Sequence, residues 1–428
     1  MRRDQMARDL ASLANEDSLF TDAVREKLGL LQKELRPLAA RYDVVVANPP
    51  YMGSNNANKW LSGWMKKQYP DTYRDLCTCF VTRGFQLSTG EGYVAFITSD
   101  TCMYISSFER MRKRMISEST IVAFIDTRGT NAHPDVFDAN AGWVFFNRAI
   151  PDFRGSYFKL SHPIAEKEAK YLEALANPEC GWFYRRNASA FKAVPGSPIV
   201  YWASKGVGNA FKNGTAIGEI GQPRQGLATG ENARFVRQWW EVSLNREWFD
   251  CPSLEKSIES KIRWFPYNKG GEYRKWYGNN DCVVNWENNG AEIRNFNDAS
   301  GKQLSRPQNT QWYFHPSITW SKISSGSIAF RYKPAGHVFD VAGTSIFAEA
   351  NTLSYLHGAC NSSVILQIAS MLSPTLNFEV GQIATYPIVF DDSKRNTVIA
   401  VVEEQRASSK ADWDASETSW DFCRHPLV

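Results

Sequence analysis

The stretch Tyr42-Asp43-Val44-Val45-Val46-Ala47-Asn48-Pro49-Pro50-Tyr51 limits what this chain can fold into more than any other. Val44 to Val46 are β-branched and apolar at successive positions, the pattern of a central parallel strand buried on both faces. Pro49 and Pro50 stop that strand abruptly, because neither can donate to a ladder. Pro49 also pushes Asn48 toward an extended conformation. A stiff loop is therefore expected at the carboxyl end of a buried strand, where open α/β sheets place their ligands.

These residue types suit one chemistry. An exocyclic amine on a nucleobase is a poor nucleophile, because its lone pair is delocalised into the ring. Two acceptors aimed at its N–H groups pull it toward tetrahedral geometry and free the lone pair. The Asn48 side-chain oxygen and the Pro49 carbonyl are candidates for that pair. Pro50 stiffens the loop, and Tyr51 can stack on a base swung out of the duplex. Neither a general base nor a metal is required. The same residues would also make an ordinary strand–turn with an aromatic plug.

With Asn48-Pro49-Pro50-Tyr51 as its tetrapeptide, the chain resembles the amino-methyltransferases that act on adenine N6. Further segments are similar to the large methyltransferases of BREX phage defence. They are Met52-Gly53-Ser54, Ser106-Ser107-Phe108-Glu109, Asp412-Trp413-Asp414 and Glu417-Thr418-Ser419-Trp420-Asp421-Phe422. The tetrapeptide is common to many enzymes; the Trp-rich run is far more specific. The likeness covers most of the chain, but that family is much longer, and this chain looks like its middle. The resemblance implies S-adenosylmethionine as cofactor, double-stranded DNA as partner and other BREX proteins as further partners.

Composition bounds the class. A length of 428 residues fits two or three domains with sizeable cores. Hydrophobic content of 43% and charged content of 22% are globular values. No apolar run approaches the ~18 residues of a membrane span, and no signal-peptide pattern is present. A soluble, cytoplasmic protein without membrane contact is expected. The eight cysteines form no Cys-x-x-Cys pair and read as free thiols, without metal or disulfide. A net charge of +4 does not demand nucleic acid but permits a local basic face. Fifteen tryptophans suit a large core, base stacking, or both.

Along the chain, residues 4–15 and 18–38 read as helices, the second feeding the Val44 strand. Helices are expected through Trp60 to Met65, from about Tyr73 to Leu87 and over Phe108 to Ile116. Strands are expected at Tyr93–Thr98, Ile121–Ile125 and Trp143–Phe146. This alternation predicts an α/β fold: a parallel-rich, doubly wound, partial Rossmann-like methyltransferase sheet, here only its catalytic half, over residues 1–150. A mixed α+β target-recognition domain over 201–390 is expected to follow a connector at 151–200. A terminal helix and Trp-rich segment close the chain at 391–428.

S-adenosylmethionine binding needs a glycine-rich strand–helix turn that admits close approach of the backbone. The resemblance places that turn before the tetrapeptide, yet the 47 residues preceding Asn48 are helical and glycine-poor. Lys205-Gly206-Val207-Gly208-Asn209-Ala210-Phe211 is a decoy that lacks a third glycine in the right place. Most of the cofactor site is thus expected outside this chain, and the chain alone is expected to be inactive. The resemblance also implies a second aromatic that sandwiches the adenine, for which Phe137 is the candidate.

Lys261 to Tyr277 interleaves basic and aromatic residues, a pattern suited to phosphate and base contact. Arg224, Arg234, Arg263, Lys269, Arg274 and Lys275 are the candidate DNA-binding residues. The same pattern fits a solvated surface over an aromatic core. Trp312-Tyr313-Phe314 and Ile318-Thr319-Trp320 read as short strands. Val338–Val341 with Ser345–Phe347 reads as a hairpin around Gly343, and Tyr355–Leu372 as one buried helix.

The reading reached is a fragment of a site-specific N6-adenine DNA methyltransferase. A catalytically inactive, truncated module that binds DNA or a partner protein fits the same residues. So does a methyltransferase acting on RNA or on protein glutamine.

Overall fold

The computed structural model describes residues 22–127, 140–324, 326–372, 377–425 and 427. The helix expected over 4–15 lies outside them. The chain divides into two compact units, Met1–Trp202 and Ala203–Val428.

In the first unit, helix α1 (Asp22–Ala39) leads into strand β1 (Tyr42–Ala47). Helix α2 (Lys59–Gln68) begins at Asn58, whose side chain accepts from Leu61 N and so caps an orphan amide. Then come α3 (Leu76–Leu87), β2 (Ser88–Ser99), α4 (Glu109–Glu118), β3 (Thr120–Asp126) and β4 (Asn140–Phe146). β5 (Arg154–Lys159), α5 (Ile164–Ala176) and β6 (Phe183–Asn187) follow.

These strands form one six-stranded sheet in the order β1-β2-β4-β3-β5-β6. β1 runs parallel to β2, and β3 to β5. β4 lies antiparallel between β2 and β3, and β6 antiparallel to β5. The sheet is therefore mixed and not parallel-rich, because an apolar run such as Trp143–Phe146 reads the same in either direction. The stretch 151–200, read as a connector, instead supplies β5 and β6.

One face of the sheet is covered. Val94, Phe96, Phe124, Trp143 and Phe145 are buried. α3 packs so close to β2 that a Cβ on Gly84 would sit 2.6 Å from the Phe96 ring. The opposite face is covered at β3 and β5, where Ile125 and Phe158 pack with Tyr171 and Ala174 of α5, and is open over β1 and β2 among the described residues. Val44 and Val46 are 60% and 70% exposed, and Tyr93 and Ile97 share their side of the sheet through the β1–β2 register. Among the described residues β1 ends the sheet order and is open on one face, so it is an edge strand there and not the doubly buried central strand that its composition suggested. β-branched apolar residues favour a strand, but burial depends on neighbours that local sequence does not contain.

The second unit holds two four-stranded sheets and one two-stranded sheet. β7 (Thr215–Ala216), β8 (Gln222–Arg224), β9 (Val236–Gln238), β10 (Trp264–Asn268) and β11 (Cys282–Asn285) come first. β12 (Ser317–Thr319), β13 (Arg331–Lys333), β14 (Val338–Phe339), β15 (Ser345–Phe347) and β16 (Pro387–Ile388) complete the set. The expected hairpin around Gly343 does not form. β14 pairs with β10, whereas β15 pairs with β12 and β8. Gly343 passes so close to Asn268 O that a Cβ would lie 2.0 Å from it, which separates the two strands into different sheets. Trp312-Tyr313-Phe314 is a turn ending at left-handed Phe314 and not a strand.

The long buried helix is also broken, into Ala350–Cys360 and Ser363–Leu372. Between them the Asn361 side chain pairs both ways with the backbone of Phe330, accepting from its N at 3.1 Å and donating to its O at 2.9 Å. A core that includes Phe235, Phe265, Tyr267, Val284, Trp286, Tyr313, Phe314 and Phe339 fills the unit. Helix Arg395–Asp414 closes it. No helix among the described residues is long and apolar enough to cross a membrane. The eight cysteines are free thiols, and no His/Cys/Asp/Glu group among the described residues could hold a metal ion.

Candidate active site

Asn48 follows β1 directly, at the sheet edge toward which β2 also points its carboxyl end. Asn48, Pro50 and Tyr51 are exposed and Pro49 is buried. The Tyr51 hydroxyl donates to Asn48 Oδ1 at 3.3 Å. Partial burial first, then nearby Cys77 and Asp75, push the Tyr51 phenol above its ordinary value, so it stays a donor. The Pro49 carbonyl accepts no hydrogen bond from the described residues. An amide-type acceptor, an open carbonyl and a half-exposed aromatic ring therefore share one short loop.

The loop beyond Tyr51 is stapled to the entrance of α3. Leu76 N donates to Met52 O at 2.9 Å, and Ser54 N donates to Arg74 O at 2.8 Å. Asp75 Oδ1 accepts from Met52 N at 3.3 Å and from Cys77 N at 2.9 Å. Sequence reasoning missed Asp75. Its signal was an acid just before the apolar run Leu76-Cys77-Thr78-Cys79-Phe80-Val81, the signature of an N-cap.

The turn after β2 is held by another buried residue. Arg112 on α4 donates to Cys102 O at 2.9 Å, to Ile105 O at 2.8 Å and twice to Gly196 O at 3.0 and 2.7 Å. Burial lowers its pKa to about 10, and carbonyls in place of a carboxylate satisfy its fork. Phe137 lies outside the described residues.

The remaining candidates sit in the second unit. Arg224 bonds Pro223 O and the Gln222 side chain. The Arg234 guanidinium lies over the rings of Phe235 and Phe296. Arg263 stacks on Trp264 and reaches Glu292 at 3.5 Å. Lys269 is half-buried. Arg274 pairs with Asp412 at 2.8 Å and covers Trp413, and Lys275 donates to Asn361 O at 3.3 Å. The aromatics of this stretch mostly point inward: Trp264, Tyr267 and Tyr277 are buried, while Tyr273 is 56% exposed. Most of the basic–aromatic stretch therefore builds a core and its ion pairs, not a continuous cationic face.

The Trp-rich terminal run folds onto the same unit. Trp239 Nε1 donates to Thr418 O at 2.9 Å, and Phe249 stacks on Trp420 with centroids 4.6 Å apart. The glycines of the Lys205–Phe211 decoy lie within helix Lys205–Asn213, not in a turn open to a cofactor.

Residues 7–133 match the family described as Eco57I restriction-modification methylase. Two curated relatives match far more of the chain. The adenine-specific methyltransferase PglX of Lacticaseibacillus casei (strain Zhang) is 36% identical over 399 residues, covering 92% of this chain and 33% of that protein. The adenine-specific methyltransferase BrxX of Escherichia coli O9:H4 (strain HS) is 34% identical over 397 residues, covering 91% of this chain and 31% of that protein. The chain is a homologue of PglX and BrxX and spans about a third of their length.

Two solved structures share the fold. The type IIL restriction-modification enzyme MmeI, in complex with DNA, matches with TM-score 0.53 and 10% identity over 89% of this chain and 50% of its own. The type ISP enzyme LlaGI, a nuclease-deletion mutant with a DNA substrate mimic, matches with TM-score 0.50 and 11% identity over 93% and 37%.

Proposed function

We propose that this chain is part of a site-specific DNA methyltransferase. The enzyme would transfer a methyl group from S-adenosylmethionine to adenine N6 in duplex DNA, in BREX-type defence against phage. The observation that carries this reading is the loop after β1, where Asn48 Oδ1, the Pro49 carbonyl and the Tyr51 ring meet. An adenine rotated out of the duplex presents two amine N–H groups to Asn48 Oδ1 and Pro49 O. Accepting both hydrogen bonds localises the nitrogen lone pair for attack. Asn48 Oδ1 has two lone pairs, so it can take an amine hydrogen while Tyr51 keeps or releases its own contact. The exposed Tyr51 face stacks on the base, and Phe137 is the candidate for the opposite face.

S-adenosylmethionine supplies the methyl group when bound. The described residues do not fit as its complete site, since no glycine-rich strand–helix turn lies beside β1. The edge of β1, unpaired among the described residues, and the open apolar face of Val44, Val46, Tyr93 and Ile97 support a cofactor-binding half supplied by parts of the longer relatives that this chain does not match. On this reading the chain alone does not methylate. Residues 201–390 act as a target-recognition domain on DNA, and other BREX proteins are further partners. The setting is the cytoplasm.

The test is Asn48→Ala in the longer polypeptide, assayed with tritiated cofactor. Loss of one preorganised hydrogen-bonding group typically costs on the order of 10²–10³ in rate. DNA affinity should barely change. Near-normal methylation by the variant would remove Asn48 from the mechanism.

A further inference from the structure

The two prolines of the tetrapeptide leave its loop with little to hold it. Neither Pro49 nor Pro50 has an N–H. The first amide beyond them with a hydrogen bond among the described residues is that of Met52, which donates to Asp75 Oδ1 at 3.3 Å. The peptide that carries Met52 N also carries the Tyr51 carbonyl. Fixing that N–H therefore fixes the backbone angle from which the Tyr51 side chain departs.

The other contacts of this staple, Leu76 N to Met52 O and Ser54 N to Arg74 O, are backbone to backbone. Asp75 is the side chain that joins them. The same oxygen accepts from Cys77 N at 2.9 Å and caps α3. α3 is itself locked to the sheet, with Cys77, Cys79 and Val81 buried and Gly84 against Phe96. A rigid helix thus reaches back through one carboxylate to the residue next to Tyr51, and Tyr51 in turn touches Asn48 Oδ1.

We propose that Asp75 is a positioning residue for adenine methylation, setting the Tyr51 ring that stacks on the base. The inference rests on the methyltransferase reading above. Asp75 acts through Met52 N and is a positioning residue, not a catalytic one. Displacement of a reacting arrangement by about 1 Å can cost on the order of a hundredfold in rate. Asp75→Ala should therefore lower kcat by roughly ten- to a hundredfold. The KM for S-adenosylmethionine should stay unchanged. Asp75→Asn keeps an acceptor oxygen in place and should retain most of the activity.

The experiment compares wild type, Asp75→Ala and Asp75→Asn in the longer polypeptide. It measures tritiated methyl transfer and the fluorescence of a duplex with 2-aminopurine at the target position. The expected result is a lower kcat and a weaker flipping signal for Ala, both restored by Asn. Should the Ala variant melt below the assay temperature, Asp75→Ser, whose hydroxyl still caps α3 but is shorter, replaces it with the same expectation. Wild-type kcat and signal in the Ala variant would overturn the inference. So would an Asn variant as damaged as Ala, since the charge and not the acceptor would then matter. A wild-type enzyme that methylates no adenine would instead overturn the methyltransferase reading, and the inference with it.

Discussion

Glu247 gives the second unit a measurable pH dependence. It is 9% exposed, follows the turn Leu244–Arg246, and bridges to Trp264 through its backbone. Neither carboxylate oxygen has a hydrogen-bond partner among the described residues. Burial pushes its pKa from 4.5 to about 7. The folded chain therefore holds this proton more tightly than the unfolded chain does. Below pH 4.5 both states are protonated and the group carries no penalty. From there to pH 7 the unfolded chain releases the proton first, so stability falls as pH rises. Above that range both states are ionised and the full cost remains. The shift corresponds to at most about 3 kcal/mol, and residual solvent contact brings this to roughly 1–2 kcal/mol. Glu247→Gln removes the titration. At pH 8 it should melt about 2–8 °C higher than wild type, at roughly 2–4 °C per kcal/mol for a unit of this size. Near pH 4.5, where Gln and neutral Glu are almost isosteric, the advantage should vanish. Scanning calorimetry of both proteins at the two pH values decides the matter. An equal difference at both, or a wild type more stable at pH 8, would refute an unpaired buried carboxylate.

Tyr51→Ala should weaken the extrahelical state by roughly 1–3 kcal/mol, while Tyr51→Phe keeps the stacking face and most activity; equal 2-aminopurine signals for wild type and Tyr51→Ala would contradict the stacking role. Arg274→Ala should free the terminal run by removing the Asp412 pair and the contact with Trp413, together about 1–2 kcal/mol. Limited proteolysis should then cut within residues 412–422, and an unchanged digestion pattern would show that Trp239 and Trp420 suffice. DNA binding by this chain should weaken with salt at a log–log slope of roughly −0.9 per phosphate contact, and Arg234→Glu should flatten it by about one contact. A slope unmoved by Arg234→Glu in gel shifts would place Arg234 off the DNA.

The sequence carried the local facts and lost the relational ones. A strand at Val44–Val46 and its abrupt end at Pro49 follow from side-chain branching and from missing N–H donors, and both are present. That β1 is an edge does not follow, because exposure of Val44 and Val46 is set by which strands lie beside them. At the break of the long helix Asn361 pairs with the backbone of Phe330, thirty-odd positions earlier, a partner that no periodicity reveals. Asp75 was missed altogether, and its role as an anchor has no local signal, since its second partner, Met52 N, lies across a loop. The Trp-rich run packs on Trp239, Phe249 and Arg274, partners that lie far upstream.

The basic residues show why charge along a sequence is a poor map of a binding face. Arg331 and Lys333 on β13 are both buried. A cation removed from water must find oxygens, and here backbone carbonyls supply most of them. Lys333 Nζ donates to Gly278 O at 3.0 Å, to Asn279 O at 2.8 Å and to the Asn280 side chain. Burial, reinforced by Arg331, pushes its pKa well below the usual lysine range. Arg331 reaches Glu272 O and Arg274 O at 3.4 Å, and the Ser321 hydroxyl at 3.0 Å. The segment they grip has left-handed backbone at Gly270, Gly271, Trp276, Gly278 and Asn279, a shape that needs fixing from outside. These two cations therefore shape the loop that carries Tyr273, Arg274 and Lys275. With Arg274 and Lys275 turned onto Asp412 and Asn361, the loop exposes Tyr273 and, beside it, the acidic Glu272. On the proposed reading, contact with DNA from this region is expected from the Tyr273 ring and from outlying cations such as Arg234, and not from the basic run as a whole.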